Sequence, residues 1–376
     1  MIPYTLLMFV PLFFSVVAYS KALPGYKERR SFVIGSAPEI IKHSVLIPIF
    51  FFILFLILAF RDESIGRDML NYKYFFYMYR DVSFGNIFSE GSDTLFWGWN
   101  WLVARFTDNF QVFVALTAAI TILPIVKVYS EDREYGFMKI VLFMNMSTFV
   151  MLFSGLRQAV AISFGLIAYE YVKQKRPWMF LLVALIALGF HHTAFVLFAL
   201  YPIYHFKIKK NNLIFVIPVI LFVFVFNGPI FSFATTILTS LFGEKYDVVA
   251  ESTGAYTMLI VFIAFAILAY ILPDEGKIDE ETLGLRNYLL AAIVLQCFAP
   301  IHNLAMRMNY YFIIFIPILM PKIFKNVKGN MKDVELVAKY GIILFFTAYY
   351  LYTTYVSCQT GESVLDTYPY VPFWGN

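Results

Sequence analysis

The stretch SVLIPIFFFILFLILAFRDESIGRD, residues 44–68, sets an unbroken apolar run directly against a cluster of charges. From Ser44 to Phe60 no side chain is ionisable. A helix rises about 1.5 Å per residue, so such a run crosses most of a hydrocarbon core about 30 Å thick. A helix at the surface of a soluble protein needs a polar face, and this one has none. Comparable runs lie at Ile2 to Ser20, Phe110 to Val126, Met138 to Phe153, Ala159 to Tyr171, Leu213 to Phe226, Tyr256 to Leu272, Tyr288 to Phe298, Tyr310 to Met320 and Val337 to Tyr355, which makes ten. Of the 376 residues 60% are hydrophobic, 20% aromatic and only 14% charged, with a mean hydropathy of +0.72. That composition cannot cover a water-facing surface and excludes a soluble globule. The expectation is an all-α polytopic integral membrane protein, a single transmembrane domain over residues 1–376 with about 10–12 transmembrane helices.

The first run has no basic n-region and no small-residue cleavage site, so it reads as a retained helix and not a signal peptide. The stretch from Trp178 to Tyr204 is broken by Gly189, His191 and His192 and is flanked by basic clusters at both ends. Two basic ends predict a short hairpin, not one crossing. Counting lysines and arginines sets the sidedness. With the Lys21 to Lys42 loop inside, only Arg61, Arg67, Lys73, Arg80, Arg105, Arg157, Lys245 and Arg307 fall outside, which leaves 21 of the 29 basic residues on the cytoplasmic side.

The outer loop, residues 61–109, is expected to carry two helices lying in the interface, Asp68 to Arg80 and Asp93 to Phe106. The second has an apolar stripe at Leu95, Trp99, Leu102 and Phe106. The aromatic, proline-rich tail, residues 357–376, is expected to form a packed outer cap. The net charge of +4 comes from short clusters between apolar runs, so it speaks of topology and not of nucleic acid. Cys297 and Cys358 are too few for a disulfide framework and read as structural.

Charge at the edge of a membrane span needs a reason, since a charged group at a helix centre costs roughly 2.5–3.5 kcal/mol. Arg61 and Asp68 follow the second run, and Arg307 opens a late one. Each arginine reads equally as a flanking residue snorkelling to headgroups or as an anion ligand. Arg157, in SGLRQAVAISFG, sits between two runs with no hydrophilic loop to host it, which favours a function. His191 and His192, in GFHHTAF, either cap a helix turn or do proton chemistry. Arginines around one outer cavity suit a lipid-linked pyrophosphate, because the guanidinium fork donates paired hydrogen bonds and keeps its charge. No phosphate-cradling glycine loop or dinucleotide fingerprint is present. The acids Asp62, Glu63, Asp68, Asp81, Glu90 and Asp93 lack a diagnostic metal spacing, so neither metal nor cofactor is expected.

Read in order, several short motifs make a pattern. MIPYTLL precedes a basic loop; Arg61, Gly66, Asp68 and Tyr72 form R-x(4)-G-x-D-x(3)-Y; LRQAVA holds Arg157 and Gln158. The FHHTA break holds His191, AMRMNYY holds Arg307, Tyr310 and Tyr311, and YPY lies at Tyr368 to Tyr370. Together they resemble the EpsG-like branch of the Wzy-type bacterial polysaccharide polymerases. Residues from Lys210 to Glu281 add nothing to the likeness, and the second histidine, His192, departs from it.

The resemblance implies an architecture related to integral-membrane glycosyltransferases of the GT-C type. It also implies an enzyme of the bacterial cytoplasmic membrane that polymerises O-antigen or exopolysaccharide repeat units on undecaprenyl pyrophosphate at the outer face. On that reading Arg157 and Arg307 bind the donor pyrophosphate, with Arg61 assisting, and His191 or Asp68 activates the acceptor hydroxyl. His191 is preferred because an imidazole is neutral and accepting near pH 6.5 and above. Tyr72, Gln158, His192 and Tyr310 would meet the glycan, and Trp97 and Trp99 either stack on sugars or anchor the interface. The expected partners are the lipid-linked oligosaccharide, the bilayer and a chain-length regulator. Rival readings are a ligase using the same donor, a flippase and a non-catalytic export partner. A flippase must expose its arginines to both leaflets, whereas these cluster on one side.

Overall fold

A computed structural model describes residues 1–20, 45–90, 92–132, 135–242 and 256–375. The loop from Lys21 to Lys42 and Lys245, on which the sidedness partly rests, lie outside the described residues. Among the described residues there are seventeen α-helices and no strand. Over these residues the fold is all-helical, and its apolar helices are those of a membrane protein. Among the described residues two helices are long and apolar enough to cross a bilayer, Phe110–Glu131 and Gly329–Thr360, or five spans if each bent pair is counted as one. This falls short of ten crossings because several apolar runs form helices too short to cross alone. The 14 residues of Leu46–Ala59 reach about 21 Å.

The breaks have local causes. Gly136–Asn145 and Ser147–Ser154 meet at 64° where Met146 turns extended, and the Asn145 amide bridges the carbonyls of Val141 and Phe346. His192–His205 and Lys210–Val225 are bent by 116°. At the histidine pair the chain doubles back, because the rings of Phe180 and Tyr201, on either side of it, lie 5.3 Å apart. One helix was not legible in the sequence. Asn227–Phe242 is rich in serine and threonine, yet the hydroxyls of Thr235, Thr236 and Ser240 bond back to carbonyls three or four residues earlier.

The chain divides into two compact units. The first comprises Met1–Glu170, Leu181–His192 and Tyr340–Asn376, the second Tyr171–Phe180 and Thr193–Lys339. In the first, Leu46–Ala59 packs along Phe110–Glu131, with Phe50, Phe51, Tyr129 and Phe143 edge to face. The expected interfacial segments are helices Met69–Arg80 and Thr94–Ala104. The second turns Phe96, Trp97 and Val103 inward and leaves Leu95, Leu102 and Phe106 exposed.

The last long helix runs on to Thr360, so the tail begins after Thr360 and not at Ser357. From there the chain packs by main-chain bonds. Asp366 and Leu365 carbonyls receive the Gly66 and Arg67 amides, Val371 receives Asp62, and Phe60 receives Phe373. Tyr4 donates to the Thr367 carbonyl, and Tyr370 donates to that of Ile57 at 3.0 Å.

In the second unit, Glu280–Gln296 is the central helix. Tyr288 donates to the Leu200 carbonyl, and Asn287 donates to those of Ile203 and Phe206. Arg286 is fully buried, paired with Glu275 at 3.0 Å and set 4.5 Å from the Tyr270 ring. Leu213–Val225 buries none of its side chains, as a helix bathed in lipid would.

Candidate functional site

The loop after Leu46–Ala59 wraps the end of helix Ser147–Ser154. Gly66 has a φ of +106°, and a Cβ there would stand 1.9 Å from the Phe153 carbonyl oxygen, so only glycine fits. Its approach brings the Asp68 amide and carboxylate within 3.3 Å of the Ser154 hydroxyl. Arg61 donates to the Leu152 carbonyl at 3.3 Å, a cation on the helix's open C-terminal end, and its guanidinium lies 5.6 Å from the Phe153 ring. Thus Arg61, Gly66 and Asp68 fix the end of one helix, and after Gly155 the next begins at Leu156 with Arg157 in its first turn.

Arg157 reaches from that turn to Asp93. Its Nη1 donates to Asp93 Oδ2 at 2.8 Å, while the guanidinium lies 5.3 Å from the Trp97 ring and 6.0 Å from the Tyr72 ring. Asp93 precedes helix Thr94–Ala104 in the left-handed conformation, φ 61°, and its side chain is wholly buried. The histidine break arrives from the other side. Gly189 allows the end of helix Pro177–Phe190 to approach Leu95, where a Cβ would fall 2.6 Å from the leucine side chain. The next two residues meet Asp93. His191 Nδ1 lies 3.2 Å from Oδ2; the His192 amide and Nδ1 lie 2.7 and 3.2 Å from Oδ1.

One carboxylate thus receives an arginine, two imidazoles and a backbone amide, filling both its oxygens. Burial pushes the Asp93 carboxyl up, yet the hydrogen bonds from His191 and His192 and the charge of Arg157 outweigh it and hold the group below the ordinary carboxylate range. Asp93, His191 and His192 form, among the described residues, a group with ligand atoms within 4.8 Å of one another, as a metal ion would need. The arrangement spends those atoms otherwise. Both Nδ1 atoms face the carboxylate, and the Arg157 guanidinium already donates to its Oδ2.

The expected site residues therefore fall into three groups. Arg157, His191 and His192 meet at Asp93, with Tyr72 under the arginine and Gln158 buried beside it. Tyr72 is 4% exposed and packs 5.5 Å from Phe96, and Trp97 stacks on Tyr79, so neither ring face is open to a sugar. Trp99 turns its indole N–H to Thr117. Arg61 is 1% exposed, and burial pulls its guanidinium down to about 10, still charged at neutral pH. Arg307 and Tyr310 belong to the second unit, the arginine exposed and the tyrosine buried. Asp93 itself was not singled out from sequence. Its only signal was an acid just before an apolar helix in the loop that also carries Asp68.

The sequence model of the EpsG family matches residues 44–371, which takes in every residue of the Asp93 cluster. Among curated proteins and among solved structures nothing matches.

Proposed function

The chain belongs to the EpsG family, and from that premise we propose that it polymerises a polysaccharide from lipid-linked repeat units at the outer face of the bacterial cytoplasmic membrane. Membership by itself implies a polysaccharide polymerase of glycosyltransferase type. The finer reading is that the growing glycan passes from undecaprenyl pyrophosphate to the non-reducing end of a new lipid-linked unit. One observation carries it: Arg157 is held on a buried carboxylate beside two imidazoles, yet a third of its side chain is exposed.

That combination is what transfer from a pyrophosphate requires. The fixed guanidinium receives charge as the pyrophosphate leaves, and an adjacent imidazole takes the acceptor's proton. Arg157 Nε is buried, so it is the exposed third of the side chain that would meet phosphate oxygens. Arg61, enclosed and bonded to the Leu152 carbonyl, holds the end of helix Ser147–Ser154 and meets no substrate. Arg307, in the second unit, is a separate candidate for phosphate binding. Asp68, bonded to Ser154, is the weaker candidate for the base.

The test is surface glycan length on gels from cells lacking the gene and complemented with wild type, Arg157→Ala or Arg307→Ala, with membrane abundance measured for each. Polymerase function predicts long glycan with wild type and single repeat units with Arg157→Ala at normal abundance. Loss of all surface glycan on deletion, with lipid-linked units trapped on the inner leaflet, would identify a flippase instead.

A further inference from the structure

We propose that Asp93 is a positioning residue that fixes the tautomer of His192 and leaves its Nε2 as the base for the acceptor hydroxyl, while His191 serves as a buried structural donor to the same carboxylate. This rests on the polymerase reading above. A carboxylate only accepts hydrogen bonds, so an imidazole that bonds it through Nδ1 carries its hydrogen there and its lone pair on Nε2. Both histidines obey this rule, at 3.2 Å each. Two features separate them. The side chain of His191 is 6% exposed and that of His192 35%, the same as Arg157 within a few per cent. Asp93 Oδ1 also holds the His192 main-chain amide at 2.7 Å, so the backbone and ring of His192 are fixed by one oxygen.

The other oxygen, Oδ2, holds Arg157 and His191. One buried residue therefore sets the distance between the cation that meets the leaving group and the imidazole that meets the nucleophile. In the transfer, the acceptor oxygen bonds to the anomeric carbon of the donor as its proton passes to His192 Nε2. The bond from that carbon to the pyrophosphate oxygen breaks, and its electron pair leaves with the polyprenyl pyrophosphate against the exposed part of the Arg157 side chain. Asp93 touches neither substrate.

The experiment uses full-length protein reconstituted in liposomes with lipid-linked oligosaccharides extracted from the deletion strain. An asparagine side chain places an N–H near where histidine has Nδ1 and nothing where it has Nε2, so His191→Asn and His192→Asn each keep the bond to Asp93. His192→Asn is expected to lose at least about 100-fold in kcat with KM within about threefold. His191→Asn is expected to stay within about threefold in both, and Asp93→Asn to lose kcat and not KM. Melting temperature in detergent is recorded for every variant.

Wild type that yields no longer glycan overturns the polymerase reading and the base assignment with it. Active wild type with His192→Asn within tenfold of it overturns the base assignment alone. If His192→Asn does not accumulate, His191→Asn decides: a folded but inactive protein overturns the proposal, and an active one supports it.

Discussion

Arg61 and Arg157 stand at like places in the chain, each at the margin of an apolar run, yet the fold treats them in opposite ways. Arg61 is enclosed, donates to a helix-end carbonyl and to Met69, and has no carboxylate within ion-pair distance among the described residues. Arg157 is anchored on Asp93 but keeps a third of its side chain exposed. A cation enclosed by protein holds structure, and one whose side chain is a third exposed can meet a ligand. The difference lies in what packs against each. The tail segment around Tyr370 and Pro372 closes over Arg61, where Tyr370 is bonded to Ile57 and Arg61 pairs with Pro372 as an isolated bridge.

Substitution can break this contrast. The largest effect is expected for Arg157→Ala, a loss of glycan polymerisation of about 100-fold or more at unchanged abundance. Arg157→Lys keeps the charge without the fork and should recover only part of it. Arg61→Ala should do the reverse. It removes a cap and opens a cavity, costing about 2–5 kcal/mol in a melting curve, while turnover per folded molecule stays within about threefold. Equal effects of the two substitutions on turnover would erase the distinction.

Smaller changes sharpen it. Tyr370→Phe deletes the bond from the tail to Ile57 and should cost about 1 kcal/mol by melting, with glycan length unchanged. Arg67→Ala removes an exposed pair with Asp366 and should shift stability by less than about 1 kcal/mol.

Acid offers a check on Asp93. A carboxyl whose folded pKa is depressed contributes stability above its unfolded value, near 4, and loses that contribution as pH falls through the folded value. The melting difference between wild type and Asp93→Asn should therefore stay constant from pH 8 to pH 5. A difference that collapses between pH 7 and pH 5 would mean that the imidazoles, and not the carboxylate, control the cluster.

Much of the fold was legible because helices bury apolar runs with a plain signature. Phe110–Glu131 and Leu46–Ala59 read directly from hydropathy. Asn227–Phe242 did not, since its hydroxyls satisfy themselves within the helix and hide its character. The candidate site was legible at Arg157 and the histidine pair, where polar groups interrupt apolar sequence without a loop. It was not legible at Asp93, one of several acids in a loop, which looks no different in sequence from Asp81 or Glu90.

Sequence alone determined that the chain is helical, suited to lipid and a member of a polysaccharide-polymerase family, because composition, run length and motif order are properties of the chain. Only the tertiary structure decided which charges share a partner. Asp93, Arg157 and His191 are separated by 64 and 98 residues from the carboxylate outward, and whether a guanidinium ends up covered or open depends on which distant segments pack against it.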